Sequence, residues 1–295
     1  MIAGLSLRPL VKGRRRFLAV AATGSGSLVA ARDDGALLCW REGVQGEVAA
    51  PTQPVTVLLR AQGDLVLAGT AGAGVALHVQ EGDGWRVAWR AATEGRRFRY
   101  VAATAALPGG AWLAGTGEGL LQLGPEGQTL GAWDDLALGC GYVTGLWAQG
   151  ERWAVGTLTG LAVTADGGET WEHFHSELPV RDAVPLTEGW LGATDGGLRV
   201  WRPGSAAGEA LGARATVRRL VAVGDKVAAI GPGGVALLVA KGTVLREANV
   251  ATRGGMPKDG CLAPDGGLAL AASNGLWLLD AEALDHAIER GAVDA

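Results

Sequence analysis

The side chains that could bind a metal or catalyse a reaction are few and widely separated in this sequence. His173 and His175 alternate along one short segment, so both imidazoles could face the same side of a strand. Two imidazoles can begin a metal site, but the sequence offers no identifiable third ligand. His78 and His286 are isolated. We therefore predict that these histidines are ordinary surface or core residues and that the chain holds no metal.

The other side chains that could take part in chemistry are acidic residues in Gly-containing turns. They are Asp33, Asp34, Glu118 and Asp195. Such carboxylates could hold calcium or act in hydrolysis. The motifs of other active sites are missing: there is no Gly-x-Ser-x-Gly elbow, phosphate-binding loop or His-Glu-x-x-His pair. We predict no catalytic residue and no cofactor. A hydrolase or lyase that uses these carboxylates is the alternative.

Composition narrows the class of protein and its compartment. With 26 Lys and Arg against 30 Asp and Glu, the net charge of −4 excludes a generally basic nucleic-acid-binding protein. Three separated cysteines, Cys39, Cys140 and Cys261, argue against a disulfide framework and predict a cytoplasmic location. The alternative is export, because Arg14–Arg16 and the following apolar residues resemble a twin-arginine signal, although Gly24–Ser27 interrupt it. No apolar run is long enough to predict a membrane span.

A repeated pattern organises the whole chain: an apolar strand, a Gly-containing turn and a second apolar strand. The turn glycines are residues 35, 74, 119, 160, 197, 234 and 275, so successive repeats are 37 to 45 residues apart. This period, with four short strands in each repeat, is typical of a β-propeller blade. We predict one all-β, seven-bladed propeller over 1–295, with blades at about 17–50, 54–92, 99–137, 141–178, 179–213, 215–250 and 256–280 plus 2–7.

The boundaries within a repeat and the closure of the ring can also be predicted. In the fourth repeat, strands A to D are expected at 143–148, 152–156, 160–164 and 170–175. The last repeat lacks a fourth strand, so the apolar segment Ile2–Leu7 is expected to supply it and to remove an exposed sheet edge. The segment Asp280–Arg290 has apolar residues on one face and predicts a short C-terminal helix. The periodic tryptophans are expected to pack between blades.

One turn carries a recognisable motif. Thr164, Asp166, Gly168, Thr170 and Trp171 resemble the Asp-box, Ser/Thr-x-Asp-x-Gly-x-Thr-Trp, and Pro125–Leu130 is a degraded copy. The resemblance implies a structural hairpin of the broad WD40/YVTN/BNR-like group, which includes sialidases and photosystem II assembly-factor-like propellers. The sialidase catalytic set is missing: there is no matching arginine triad, and Tyr100 and Tyr142 are the only tyrosines.

Basic residues are concentrated before strand A of several repeats. Because D–A connections and B–C turns open on the same face of a propeller, these residues predict a positively charged top face. Arginine forms bidentate contacts with carboxylates and phosphates. We therefore predict a non-enzymatic interaction platform, a scaffold, assembly factor or subunit, that docks an acidic protein. A polyanion- or carbohydrate-binding module is a further alternative. The predicted partner-binding residues are Arg14, Arg15, Arg16, Arg96, Arg97, Arg99, Arg181, Arg214, Arg218, Arg253 and Lys258.

Overall fold

A computed structural model describes most of the chain as short antiparallel strands. The described residues are 7–12, 16–41, 44–49, 56–82, 84–91, 100–205, 207–211, 215–223, 226–232, 234–239, 243–248 and 255–282. Six four-stranded sheets are each formed by four consecutive strands and are called blades 1 to 6. A further four-stranded sheet, called the closing sheet, joins strands from the two ends of the chain.

The strands of the first three blades follow the repeat closely. Blade 1 contains β2 (Phe17–Ala22), β3 (Leu28–Arg32), β4 (Leu37–Arg41) and β5 (Val44–Ala49). Blade 2 contains β6 (Thr56–Gln62), β7 (Leu65–Thr70), β8 (Val75–Glu81) and β9 (Gly84–Ala91). Blade 3 contains β10 (Val101–Ala106), β11 (Trp112–Thr116), β12 (Gly119–Leu123) and β13 (Thr129–Trp133). A 3-10 turn at Pro108–Gly110 lies in blade 3, and the short helix α1 (Asp135–Leu138) follows it.

The remaining strands continue the same pattern. Blade 4 contains β14 (Val143–Gln149), β15 (Arg152–Thr157), β16 (Gly160–Thr164) and β17 (Glu172–His175), close to the four predicted ranges. Blade 5 contains β18 (Val180–Leu186), β19 (Gly189–Thr194), β20 (Gly197–Trp201) and β21 (Glu209–Leu211). Blade 6 contains β22 (Arg219–Val223), β23 (Lys226–Gly231), β24 (Gly234–Val239) and β25 (Thr243–Ala248). The closing sheet uses β26 (Pro257–Leu262), β27 (Leu268–Ala272), β28 (Gly275–Leu279) and β1 (Leu7–Lys12).

The predicted fold class therefore needs correction, although the all-β propeller itself is found. Only six blades consist of consecutive strands, so the chain does not contain seven equivalent contiguous repeats. The strand that completes the closing sheet is described over Leu7–Lys12, and of the predicted Ile2–Leu7 all residues but Leu7 lie outside the described residues. The predicted C-terminal helix is not found among the described elements. Of its predicted range, only Ala281 and Glu282 have helical backbone, and the residues from 283 onward lie outside the described residues.

The first strands of the sheets contact one another in a ring, β2, β6, β10, β14, β18, β22 and β26, and β26 returns to β2. Apolar clusters lie between neighbouring sheets rather than in one common core. One of them joins blade 1 to the closing sheet, with Phe17, Val20, Leu276 and Leu278 all buried. Among the described residues, blades 1 to 5 thus bury apolar side chains against the sheets on both sides, and closure buries apolar side chains between blade 1 and the closing sheet.

Tryptophans on outer strands attach one blade to a turn of the next. Trp133 of blade 3 donates its indole N–H to the carbonyl of Gly168 in blade 4 at 2.9 Å. In the same way, Trp89 of blade 2 donates to the carbonyl of Pro125 in blade 3 at 2.6 Å. The rings lie over turn glycines with positive φ, Gly168 and Gly127. The periodic tryptophans that the sequence singled out at strand starts are Trp112, Trp153 and Trp190, and each lies in an apolar cluster shared by two blades.

Candidate functional site in the central channel

A cavity of about 360 Å³ lies where the first strands of the sheets meet. All seven sheets contribute residues to its wall. Blades 1, 3 and 4 supply mainly small or apolar residues, including Leu18, Ala102, Ala103, Thr144 and Gly145. Blades 5 and 6 and the closing sheet supply most of the charged residues, so the wall is electrostatically one-sided.

A register shift near the start of the first strands sets which residues face the cavity. In the pairing of the first with the second strand of a sheet, some residues have no partner on the second strand. They include Ala102, Thr144, Arg181 and Lys258. A bulge of this kind inserts one extra residue and redirects the side chains beside it. In blade 5 and the closing sheet, the extra residue is basic and an aspartate follows it, so both reach the cavity wall.

The wall contains a network of four charged residues, in which the two aspartates are buried and the two arginines are half-buried. Arg219 Nη1 of blade 6 contacts Asp182 Oδ2 of blade 5 at 2.7 Å. Arg219 Nε lies 3.4 Å from Asp259 Oδ1 of the closing sheet. Arg60 Nη1 of blade 2 lies 3.9 Å from Asp259 Oδ2. Because each arginine faces at least one carboxylate, the network carries no net charge of its own.

Both aspartates of this network also accept hydrogen bonds from the backbone of the next sheet in the ring. Asp182 Oδ2 accepts from the backbone N–H of Leu220 at 2.9 Å, and Asp259 Oδ2 accepts from that of Val20 at 3.2 Å. The second bond joins the closing sheet to blade 1, across the point where the two chain ends meet. Asp182 is thus held by backbone and guanidinium donors, and Asp259 by a backbone donor within ion-pair distance of Arg219 and Arg60, which is the pattern of structural anions.

Burial and neighbouring charges shift several protonation equilibria in the network. Burial lowers the pKa of Arg60 to about 10, and the positive charge of Arg219 adds to this effect. Burial raises the pKa of the Cys261 thiol to about 12, and Asp259 adds to this effect. Since a thiolate is the reactive form of cysteine, Cys261 is an inert group at neutral pH.

The cavity opens at a mouth that carries further cations. Arg181 makes a bidentate pair with Asp195, with Nε–Oδ1 at 3.1 Å and Nη2–Oδ2 at 2.6 Å, and this hydrogen bonding lowers the pKa of Asp195. Burial lowers the pKa of Lys258, and the nearby positive charges of Arg16 and Arg218 lower it further. Tyr100 and Tyr142 lie beside Arg181, with their ring centroids 6.4 Å apart.

Four of the predicted partner-binding residues can be placed in the structure. Arg181, Arg218 and Lys258 line the cavity, and Arg16 lies close enough to Lys258 to affect its pKa. The other seven fall outside the described residues: Arg14, Arg15, Arg96, Arg97, Arg99, Arg214 and Arg253.

Sequence reasoning missed the four residues of this network, Arg60, Asp182, Arg219 and Asp259. A usable signal was present for three of them. The pairs Arg181–Asp182, Arg218–Arg219 and Lys258–Asp259 occupy the same place in three successive repeats. The recurrence of a charged pair at one position of the repeat is the signal that could have found them.

The predicted alternatives for catalysis and metal binding can also be located. Asp34 forms a bidentate pair with Arg32, with Nε–Oδ1 at 2.8 Å and Nη2–Oδ2 at 2.6 Å, and Asp195 is paired as above. His173 and His175 are exposed on β17. His78 is buried, and burial lowers its pKa to about 4. Within the described ranges, no group of three His, Cys, Asp or Glu side chains is arranged to hold a metal ion.

The turn that resembles an Asp-box is held by hydrogen bonds among its own residues. The hydroxyl of Thr164 donates to Asp166 Oδ1 at 2.6 Å and accepts from the backbone N–H of Gly168 at 3.0 Å. Asp166 Oδ1 also accepts from the backbone N–H of Thr170 at 3.0 Å. These bonds hold the pKa of Asp166 well below its usual range. Trp171 packs against Trp133 and Trp153, which gives the turn a structural role.

Comparison with known proteins identifies the fold of this chain but assigns it to no family. No family model and no curated protein matches the sequence. Among solved structures, the WD40 repeats of RRP9 match with a TM-score of 0.73 and 11% identity over 93% of this chain and 97% of that one. YCF48 from Cyanidioschyzon merolae matches with a TM-score of 0.70 and 12% identity over 94% and 99% of the two chains.

A third match is an extracellular domain, assigned to a hybrid two-component system, from B. thetaiotaomicron. The TM-score is 0.75 at 14% identity, over 94% of this chain. The chain spans only about 40% of the length of that domain. Two further matches are also extracellular domains from the same organism.

These matches correct the predicted cytoplasmic location. Extracellular domains of bacterial sensor proteins share the fold, so sparse cysteines in such a propeller do not indicate a reducing compartment. In the part of the chain that the structure describes, no helix is long and apolar enough to cross a membrane. At 10–15% identity the likeness establishes the fold alone. The chain is a β-propeller similar in structure to WD40-repeat and YCF48 propellers.

Proposed function

We propose that this protein is an interaction platform whose channel mouth docks an acidic segment of a partner protein. The observation that supports this proposal most directly is the charge of the cavity wall. Five cations line it, Arg60, Arg181, Arg218, Arg219 and Lys258, against three carboxylates, Asp182, Asp195 and Asp259. The wall therefore has an excess of 5 − 3 = 2 positive charges in a chain whose net charge is −4.

The excess is concentrated on two residues near the mouth. Arg181 is paired with Asp195, and Arg219 is paired with Asp182 and Asp259. Within the described residues, neither Arg218 nor Lys258 makes an ion pair. Positive potential at the end of a concave opening attracts acidic segments and orients them before contact.

The carboxylates of the cavity give little support to the alternative of a hydrolase or lyase. Asp182 and Asp259 accept backbone hydrogen bonds from adjacent sheets, and Asp195 is held by Arg181. A general base must be available to the proton that it removes. An interaction role also fits the WD40-repeat propellers among the structural matches.

The test is capture of the partner by the intact protein in extracts of the cells that produce it, followed by binding of the purified pair. The variant Arg218→Glu with Lys258→Glu should lose most of the binding, with about a tenfold or larger increase in Kd, because it places two negative charges at the mouth. Arg90→Glu is the matched control, since Arg90 is exposed on β9, the outer strand of blade 2.

Two results would contradict the proposal. One is a partner whose bound surface is basic or uncharged. The other is a double variant that binds as tightly as the Arg90→Glu control while retaining the unfolding temperature of the native protein.

A further inference from the structure

The wall of the channel cavity offers two cations to a ligand that comes from outside the described chain. Arg218 and Lys258 are the members of the wall left after the internal pairs are assigned. They come from adjacent sheets, blade 6 and the closing sheet, and each directly precedes a residue of the charged network, Arg219 or Asp259. Their backbone is thus anchored by the residues that hold the ring together.

The part of the cavity wall supplied by blades 1, 3 and 4 carries no anion, and the carboxylates that act on these cations are Asp195 for Arg218 and Asp33 for Lys258. Leu18, Ala102, Ala103 and Gly145 carry no charge, and the hydroxyl of Thr144 donates to the carbonyl of Val180 at 2.6 Å. The cavity volume of about 360 Å³ is near the lower end of the range for small-molecule sites. The space accommodates a group of a few heavy atoms with a short apolar stem.

The cations at the mouth repel one another, which an anion would relieve. Arg16 and Arg218 both act on Lys258 by positive charge, and Asp33 opposes them. An oxyanion placed near Arg218 and Lys258 would form charge-assisted hydrogen bonds to both side chains, which are about twice as strong as neutral ones.

We infer that the channel cavity binds a single oxyanion group, a carboxylate or a phosphate, through Arg218 and Lys258. This inference rests on the proposed function, which assigns Arg218 and Lys258 to docking. It specifies the chemical group that these two residues recognise inside the channel. The group can belong to an acidic side chain of the partner or to a small free anion. The two sources share the same contacts, and an experiment can distinguish them.

The experiment titrates the full chain with inorganic phosphate, and separately with succinate, at constant ionic strength while backbone amide shifts are recorded. Saturable shifts are expected near Arg218 and Lys258. Arg218→Gln with Lys258→Met should weaken binding about tenfold or more, because both donors are lost, whereas Arg90→Gln should bind as the native protein does. Unchanged unfolding temperatures would show that all variants are folded.

Linear shifts that do not saturate with either anion, or equal binding by the double variant, would overturn the inference. A second experiment adds phosphate to the protein with its purified partner bound. If phosphate binds and displaces the partner, the oxyanion inside the channel is the partner's own carboxylate. If phosphate binds while the partner remains bound, the site holds a free anion, which supports the inference and contradicts docking at the mouth. If the partner docks but neither small anion binds, the proposed function stands and this inference fails.

Discussion

At the scale of single residues, the glycine of the Asp-box-like turn has two separate constraints. Gly168 has a φ of +93°, a region that residues with a Cβ rarely adopt. A Cβ there would also lie 2.7 Å from the ring of Trp133, which belongs to the neighbouring blade. The same residue therefore serves the turn of blade 4 and the contact between blades 3 and 4.

The substitution Gly168→Ala should lower the free energy of unfolding by about 3 kcal/mol, from the left-handed backbone and the forced movement of Trp133. Gly150→Ala is the matched control. Gly150 has a φ of +61° but open space at the Cβ position, so a loss of only about 1 kcal/mol is expected. Denaturant unfolding measures both values. Equal losses in the two variants would show that the Trp133 contact contributes nothing.

At the scale of elements, aspartates on the first strands connect neighbouring sheets. Asp182 on β18 contacts both Arg219 and the backbone of Leu220 on β22, and Asp259 on β26 repeats this contact toward β2. Apolar packing between sheets is not directional, whereas these bonds fix one strand against the next. The network therefore specifies how the sheets are arranged around the channel.

The substitution Asp182→Ala should destabilise the fold by about 3–5 kcal/mol, because the network then carries one uncompensated positive charge and the buried backbone N–H of Leu220 loses its acceptor. Asp195→Ala is the control: its pair with Arg181 is bidentate but about one third exposed, so a loss of at most about 1 kcal/mol is expected. Thermal and denaturant unfolding provide the comparison. A small loss for Asp182→Ala would mean that water or rearranged side chains satisfy Arg219.

At the scale of the whole molecule, the ring is closed by a strand from the beginning of the chain. The strand β1 pairs with β28 from Leu7 opposite Leu279 to Lys12 opposite Gly275, and Leu10 and Val11 pack on the cluster shared with blade 1. Closure of this kind covers the edge of β28, which would otherwise be available to another chain.

Deletion of residues 1–12 should lower the unfolding temperature by about 10 °C and promote association, because β28 becomes an exposed edge strand. Calorimetry and light scattering measure the two effects. A synthetic peptide of residues 1–14, added in excess, should restore the native temperature and monodispersity. If the shortened chain retains the native temperature and does not associate, β1 is not required for closure.

The sequence by itself determined the local architecture of this protein. The strand–glycine–strand period located the hairpins, and the strands predicted for the fourth repeat agree closely with β14 to β17. This succeeded because alternating apolar residues and turn glycines act over a few neighbouring residues.

Only the tertiary structure decided which residues form the closing strand and which side chains line the channel. The pairing of β1 with β28 joins the two ends of the chain, and Asp182 meets Arg219 across 37 positions of sequence. Such contacts depend on the register and the rotation of whole sheets, which local pattern does not encode. A charge before an apolar strand looks the same in the sequence whether it reaches solvent, as predicted for the arginines, or lines a buried cavity, as Asp182, Arg219 and Asp259 do.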